Sequence, residues 1–172
     1  KDEYITVNEF DSLSSVEKGQ YAFNNGRRYQ IQDTAANIAD LLNNALDPTI
    51  ALLSTSNGGN LEINAQQLEN LANANEEIGY KLFSGSVLVA DSLYNRLGTL
   101  SNEVLANATS WRLTDEPAVS GNETFSELSL RQAIVLNRAT NASDYQYSIQ
   151  DVASALASQD IKVVEAITNS QN

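Results

Sequence analysis

Four acidic side chains in the second half of the chain have the chemistry to bind a calcium ion. Asp115 and Glu116 are adjacent, Asp91 precedes them and Glu123 follows them. Calcium takes roughly six to eight oxygen ligands, which carboxylates and backbone carbonyls supply. The alternating D-x-D-x-D spacing of dedicated calcium loops is missing here. The group is therefore a candidate calcium site assembled from separate segments.

Three aromatic residues in the same region are candidate ligand contacts. Trp111, Tyr94 and Tyr145 could stack on a sugar, because aromatic rings offer flat apolar faces. A core position is the alternative for Trp111, which lies in the strand-like run Trp-Arg-Leu-Thr, and also for Tyr147. The sequence favours the core for these two residues.

Asp33 and Asp151 follow two similar strand-like segments and each precedes a helical pattern. They are either ligand carboxylates or N-caps, whose oxygen accepts the free N–H groups of the first helical turn. Since a scaffold residue is expected in every copy of a repeat, the repetition favours the N-cap interpretation.

Most other chemistry lacks its residues. The chain has no Cys, His or Met, so thiolate and imidazole catalysis and soft or nitrogen metal ligands are excluded. No Gly-rich phosphate loop follows a strand. Polysaccharide hydrolysis by a pair of carboxylates is the remaining enzymatic hypothesis, but nothing singles out a pair among 22 acidic residues. We expect no enzyme and no cofactor other than calcium.

The net charge of −12 limits the partners. Such a chain repels a phosphate backbone, so we expect no nucleic acid and no anionic membrane partner. No apolar run reaches the roughly 18 residues of a spanning helix, so no membrane insertion is expected.

The chain contains an internal repeat. Tyr-Gln-Ile-Gln-Asp at 29–33 recurs as Tyr-Ser-Ile-Gln-Asp at 147–151, and more weakly at 80–83, with an alternation typical of strands. Helical patterns follow at 38–46, 89–97 and 152–157, and the first two lie at an offset of 51 residues (89 minus 38).

A second half-unit recurs at 5–10, 61–66 and 125–131. In each copy a polar residue is predicted to cap a helix, and these residues are Asn8, Asn64 and Ser129. The following helices are predicted to bury Leu68 with Leu71, and Ile134 with Leu136. Three further apolar runs, at 49–53, 111–114 and 161–167, are predicted to be strands.

This order predicts an α/β fold, a repeat-built, solenoid-like stack of βα units with a largely parallel sheet. We expect one domain over 1–172, with approximate units at 1–28, 29–79, 80–146 and 147–172. The third unit carries an insertion at about 109–124, a candidate binding loop. Since the chain starts within one unit and ends within another, we expect a slice or a terminal piece of a longer array.

The segment YQIQDTAANIADLLNNAL, preceded by ITVNEFDSLSS and followed by PTIALLSTSNGGNLEINAQQLENLA, resembles the imperfect α/β repeats of very large exported bacterial surface proteins. These include S-layer-like chains and calcium-dependent RTX-type adhesins. The resemblance implies a role in the cell envelope or matrix and no catalytic residues. The glycine- and aspartate-rich calcium nonapeptides of many such proteins are missing here.

The sequence therefore predicts a secreted, cell-surface structural, assembly or adhesion module of the S-layer or adhesin type. Its expected partners are other copies of itself, neighbouring repeats and envelope polysaccharide. The alternatives are a glycan- or peptide-binding module that acts through the 109–124 loop, and a carboxylate-dependent polysaccharide hydrolase.

Overall fold

The computed structural model describes residues 4–25, 28–117, 125–157 and 161–170. In chain order the elements are β1 (Tyr4–Ile5), α1 (Val7–Ser12), α2 (Ser15–Asn25), β2 (Tyr29–Asp33), α3 (Ala35–Leu41), β3 (Ile50–Thr55), β4 (Leu61–Ile63), α4 (Ala65–Ile78), β5 (Val87–Asp91), α5 (Asn102–Leu105), β6 (Ser110–Leu113), β7 (Phe125–Leu128), α6 (Leu130–Asn137), β8 (Tyr147–Ile149), α7 (Ala153–Leu156) and α8 (Ile161–Asn169). Two 3₁₀ turns lie at Leu97–Thr99 and Ala142–Asp144.

The strands of the described residues form three small parallel sheets with the orders β1-β2-β3, β4-β5-β6 and β7-β8. In the first sheet Ile31 pairs with Ile5 on one side and with Leu53 on the other. Parallel neighbours need a crossover, and helices lie between β1 and β2, between β2 and β3, and between β7 and β8. The predicted α/β class and parallel strands are confirmed. The strands belong to three sheets rather than to a single one.

The contacts divide the chain into two compact units. The first unit comprises Lys1–Leu88 and Asn102–Thr109, and the second comprises Val89–Ser101 and Ser110–Asn172. Fully buried side chains of the first unit include Ile31, Ile38, Leu53, Leu61 and Leu68, and those of the second include Leu93, Leu97, Phe125 and Leu128. Among the described residues, no helix is long and apolar enough to cross a membrane.

Several predicted elements are confirmed. β2, β3, β6 and β8 occupy the predicted runs, and α4 and α6 begin directly after the predicted caps Asn64 and Ser129. In β2 the residues Tyr29, Ile31 and Asp33 are buried, while the two Gln residues between them are not. Alternation of burial at every second residue is what a half-buried strand requires.

The predicted helix at 89–97 is wrong, because β5 occupies its first part. Val87 and Val89 are buried on one face of that strand. Asp91 thus ends a strand as Asp33 does, whereas Asp40, its counterpart at the offset of 51, lies within the helix α3. The structural repeat of these two aspartates is 58 residues (91 minus 33) rather than 51.

The predicted strand at 161–167 is also wrong, since this segment is the helix α8, which packs against α6. Val163 and Ala166 are buried at a spacing of three residues, which is helical periodicity. β-branched residues favoured a strand here, but burial of one helical face against α6 overrides that preference.

Three smaller corrections concern a helix cap, a short strand and the burial of one residue. The cap of α1 is Thr6, not Asn8. Residues 80–83 do not form a strand, although Phe83 makes an isolated parallel bridge with Leu53. Of the predicted helix-facing residues, Leu68, Leu71 and Leu136 are buried, whereas Ile134 is partly exposed.

Candidate functional site

Asp33, at the end of β2, joins its own strand end to a neighbouring helix. Its Oδ2 accepts a hydrogen bond of 2.9 Å from the backbone N–H of Val7, the first residue of α1. Its Oδ1 accepts bonds from the N–H of Thr34 at 2.7 Å and from Nδ2 of Asn37 at 2.8 Å. Burial raises the pKa of Asp33, but these three donors together hold it below its ordinary value.

Asp151 follows β8 and makes the same connection. Its Oδ2 accepts a 2.9 Å bond from the N–H of Leu130, the first residue of α6, and its Oδ1 accepts a 2.7 Å bond from the N–H of Val152. The bond from Leu130, followed by that from Val152, lowers the pKa of Asp151. We call this arrangement a strand-end bracket. An aspartate at or just after the end of one strand accepts the N–H of the first residue of a helix, and that helix follows the strand paired with the first one.

The bracket of Asp33 corrects the N-cap interpretation for this residue. The N-cap of α3 is Thr34, whose hydroxyl accepts the N–H of Asn37 at 3.2 Å. Asp33 instead accepts N–H groups from two places in the chain, one beside it and one 26 residues away. Since a first-turn N–H has no partner within its own helix, the bracket satisfies a donor that would otherwise depend on water.

Two of the predicted calcium ligands, Asp91 and Asp115, are engaged in a related contact within the second unit. Asp115 accepts the hydroxyl of Ser92 at 2.7 Å with Oδ1 and the N–H of Leu93 at 2.8 Å with Oδ2. Asp91 accepts the N–H of Ser92 at 2.7 Å. Ser92 therefore donates hydrogen bonds to two carboxylates, one at the end of β5 and one two residues after the end of β6.

The other two predicted ligands are not placed in that contact. Glu116 is exposed, and Glu123 lies outside the described residues. Within the described part of the chain, no group of three or more acidic side chains is arranged to hold a metal ion. Calcium binding by Asp91, Asp115, Glu116 and Glu123 stays a prediction.

The aromatic residues of the second unit are mostly core. Trp111 is 5% exposed, and its Nε1 donates to the carbonyl of Val135 at 2.9 Å. The guanidinium of Arg138 lies 5.1 Å from its ring. Tyr147 is also buried, and burial raises its pKa to about 12. The predicted core positions of Trp111 and Tyr147 are confirmed.

Tyr94 and Tyr145 come together around Phe125. Tyr145 stacks on the Phe125 ring with centroids 5.5 Å apart, and Tyr94 meets that ring edge-on at 5.0 Å. Tyr145 is buried, and its hydroxyl donates to the carbonyl of Asp115 at 2.7 Å. Tyr94 remains 47% exposed. Of the three residues predicted to form a sugar platform, Tyr94 alone presents an exposed ring.

The predicted insertion at 109–124 is partly regular structure. Residues Ser110–Leu113 form β6, and residues 118–124 lie outside the described part of the chain. The side chain of Asn141 extends β6, because its amide accepts the N–H of Leu113 at 2.9 Å and donates to the carbonyl of the same residue at 3.0 Å. Ligand binding through the 109–124 loop stays a prediction.

Sequence reasoning missed a cleft in the first unit, between the C-terminal end of α4 and α5. Its volume is about 460 Å³, and the side chains that line it include Asn73, Asn75, Glu76, Tyr80, Lys81 and Asn107. Gly79 ends α4 with φ +76°, a left-handed conformation that glycine adopts at little cost, and its N–H binds the carbonyl of Asn75 at 2.9 Å. The sequence signal was this glycine, followed by an exposed Tyr-Lys pair.

The described residues thus form an α/β protein with parallel strands, in which strand-end brackets join β2 to α1 and β8 to α6. No protein-family model, curated protein or solved structure matches the chain in sequence or fold comparisons.

Proposed function

We propose that the chain is a structural, assembly or adhesion module of a secreted bacterial cell-surface protein of the S-layer or adhesin type, and that it works without catalysis. Its activity would be lateral contact between copies, with neighbouring repeats or with envelope polysaccharide. The observation that carries the proposal is the repetition of the same structural device at equivalent places, namely the brackets of Asp33 and Asp151.

The helix caps add to this support. α1, α4 and α6 each begin with a capping box directly after a strand, formed by Thr6 with Glu9, Asn64 with Gln67, and Ser129 with Gln132. A residue that stabilises a scaffold is expected in each copy, whereas a catalytic group is expected once. The chemically distinctive carboxylates Asp33 and Asp151 are therefore better explained as supports of the chain than as reactants.

The solenoid-like stack belongs to the same proposal. The described strands form three separate small sheets rather than one continuous stack. We propose that the stack forms in a longer array, in which neighbouring repeat units cover each other. The acidity of the chain suits an extracellular scaffold, because a net charge of −12 opposes uncontrolled aggregation. Calcium between neighbouring units would offset the repulsion of those charges.

Sedimentation velocity tests this role. The purified chain would be compared with added calcium and with a chelator, and its retention on insoluble cell-wall polysaccharide would be measured in both conditions. We expect concentration-dependent self-association or retention, strengthened by calcium. Glu116→Gln is the matched variant for the calcium effect, because Glu116 is exposed and lies outside the brackets.

A chain that stays monomeric in both conditions and is not retained by the polysaccharide would contradict the proposal. Turnover of the polysaccharide would contradict its non-catalytic part.

A further inference from the structure

The cleft beside α4 has the dimensions and the mixed lining of a small-ligand site. Ligand pockets commonly enclose roughly 300 to 1,000 Å³ and combine apolar walls with a few polar groups. The cleft encloses about 460 Å³, with Ala72 and Val104 among its apolar residues. Its other walls carry amides and charges of both signs.

Tyr80 gives the cleft an exposed but fixed aromatic ring. The residue is 48% exposed, yet its hydroxyl donates to the carbonyl of Ala51 at 3.1 Å. Ordering a side chain on binding costs free energy, and this hydrogen bond restricts the ring before a ligand arrives. The ring thereby offers a prepared apolar face.

The amide pair on the cleft wall is also held in place. Nδ2 of Asn75 donates to Oδ1 of Asn107 at 2.8 Å, and Oδ1 of Asn75 accepts the N–H of Leu82 at 2.7 Å. Nδ2 of Asn107 donates to the carbonyl of Glu103 at 2.9 Å. Because an amide oxygen accepts two bonds and an amide nitrogen donates two, Asn75 keeps capacity for a ligand.

Three further polar side chains line the cleft and are available to a ligand. In the part of the chain that the structure describes, Asn73, Glu76 and Lys81 make no side-chain hydrogen bond or ion pair. Together they supply a carboxylate acceptor, an ammonium donor and an amide that does both. A ligand with several hydroxyl groups would satisfy all three.

We propose that this cleft binds a neutral saccharide of one or two rings. The Tyr80 ring would contact the apolar face of a sugar ring, while Asn73, Glu76 and Lys81 bind its hydroxyls. An anionic sugar would be opposed by the net charge of −12. The biological setting of this site rests on the proposed envelope role, but binding of free sugars does not, so the two proposals fail separately.

NMR titration of the full chain tests the site, with maltose, cellobiose and N,N′-diacetylchitobiose as neutral probes and digalacturonate as the anionic one. We expect saturable shifts at the amides of Tyr80, Lys81 and Asn107 with at least one neutral sugar. Tyr80→Ala should weaken that binding by about tenfold or more. Asn73→Ala, a surface change that removes no internal hydrogen bond, should weaken it by a smaller factor.

Tyr4→Ala is the matched control, because Tyr4 is 49% exposed but lies in β1, away from the residues that line the cleft. It should leave sugar binding unchanged, and circular dichroism checks that each variant is folded. If Tyr80→Ala does not fold, the Asn73→Ala result decides. The proposal is overturned by the lack of cleft shifts with every neutral probe, by preference for digalacturonate, or by wild-type affinity in the folded cleft variants.

Discussion

The brackets of Asp33 and Asp151 use the same two kinds of backbone donor but differ in burial and in a third partner. Asp33 is 8% exposed and accepts Nδ2 of Asn37 in addition to two N–H groups. Asp151 is partly exposed. The position of Asn37, four residues after the aspartate, is occupied by Ala155 in the later copy.

The helices that these brackets hold differ as well. α1, held by Asp33, has the charged residue Glu9 in its capping box, whereas α6, held by Asp151, has the neutral Gln132. The comparison shows that the bracket itself needs only one carboxylate and two backbone donors. The surrounding side chains then set how deeply the carboxylate is buried and how strongly it is held.

The largest expected difference is between removal of the two carboxylates. Asp33→Ala leaves the buried N–H of Val7 without its acceptor and should lower the free energy of unfolding by about 2 kcal/mol. Asp151→Ala should lower it by less, since water reaches that site more easily. Urea unfolding measures both. An Asp151→Ala loss as large as the Asp33→Ala loss would show that burial does not distinguish the brackets.

Exchanging the third partner should make the two brackets more alike. Asn37→Ala should lower the free energy of unfolding by about 1 kcal/mol and raise the pKa of Asp33, because one hydrogen bond to the carboxylate is lost. Ala155→Asn should lower the pKa of Asp151 further. NMR titration of the side-chain carboxyls measures both values. Unchanged pKa values in both variants would contradict the role given to Asn37.

Acid should weaken both brackets. The folded pKa values of Asp33 and Asp151 lie below their ordinary value of 3.8, so their stabilisation is fully present above that pH and is lost as the pH falls through the lowered values. The urea concentration at the unfolding midpoint of the wild type should therefore decrease when the pH is lowered below about 4. Asp33→Asn should flatten this part of the profile more than Asp151→Asn, and equal flattening would argue against the difference in burial.

The smallest effect is expected from the capping boxes. The hydrogen bonds from Thr6 lower the pKa of Glu9, so this box loses its stabilisation as the pH falls through the lowered value, whereas the box of Ser129 and Gln132 has no such dependence. Glu9→Gln should leave the urea midpoint at neutral pH nearly unchanged and slightly reduce its fall in acid. A large loss at neutral pH would show that the charge of Glu9, rather than its geometry, stabilises α1.

Local patterns allowed part of this fold to be predicted. Alternation in Tyr-Gln-Ile-Gln-Asp predicts β2, its recurrence as Tyr-Ser-Ile-Gln-Asp predicts β8, and the predicted caps Asn64 and Ser129 are confirmed. The correct cap of α1 was also readable, because Thr6 lies three residues before Glu9 as in any capping box.

The errors arose where local patterns were ambiguous. The run of β-branched residues at 161–167 suits a strand, but α6 offers a surface for Val163 and Ala166 that only a helical spacing satisfies. Likewise, Val-Ala-Asp at 89–91 fits a helix or a strand, and pairing within the β4-β5-β6 sheet selects the strand. Short apolar runs carry too little periodicity to separate the two.

For the sites, the sequence identified Asp33 and Asp151 as equivalent residues but not their partners. Val7 lies 26 positions before Asp33, and Leu130 lies 21 before Asp151, so neither bond follows from local spacing. The cleft depended on contacts of the same kind, since Asn75 meets Asn107 across 32 positions.

The sequence by itself determined the α/β class, the strands β2 and β8 and the starts of α4 and α6, because periodicity and capping act within a few residues. It also determined the acidity and the absence of thiol and imidazole chemistry, because these follow from composition. The tertiary structure alone decided which N–H each aspartate accepts, that Trp111 and Tyr145 are buried, and that Tyr80 lines a cleft. Those outcomes depend on which segments pack together, and packing joins residues whose separation along the chain carries no local signal.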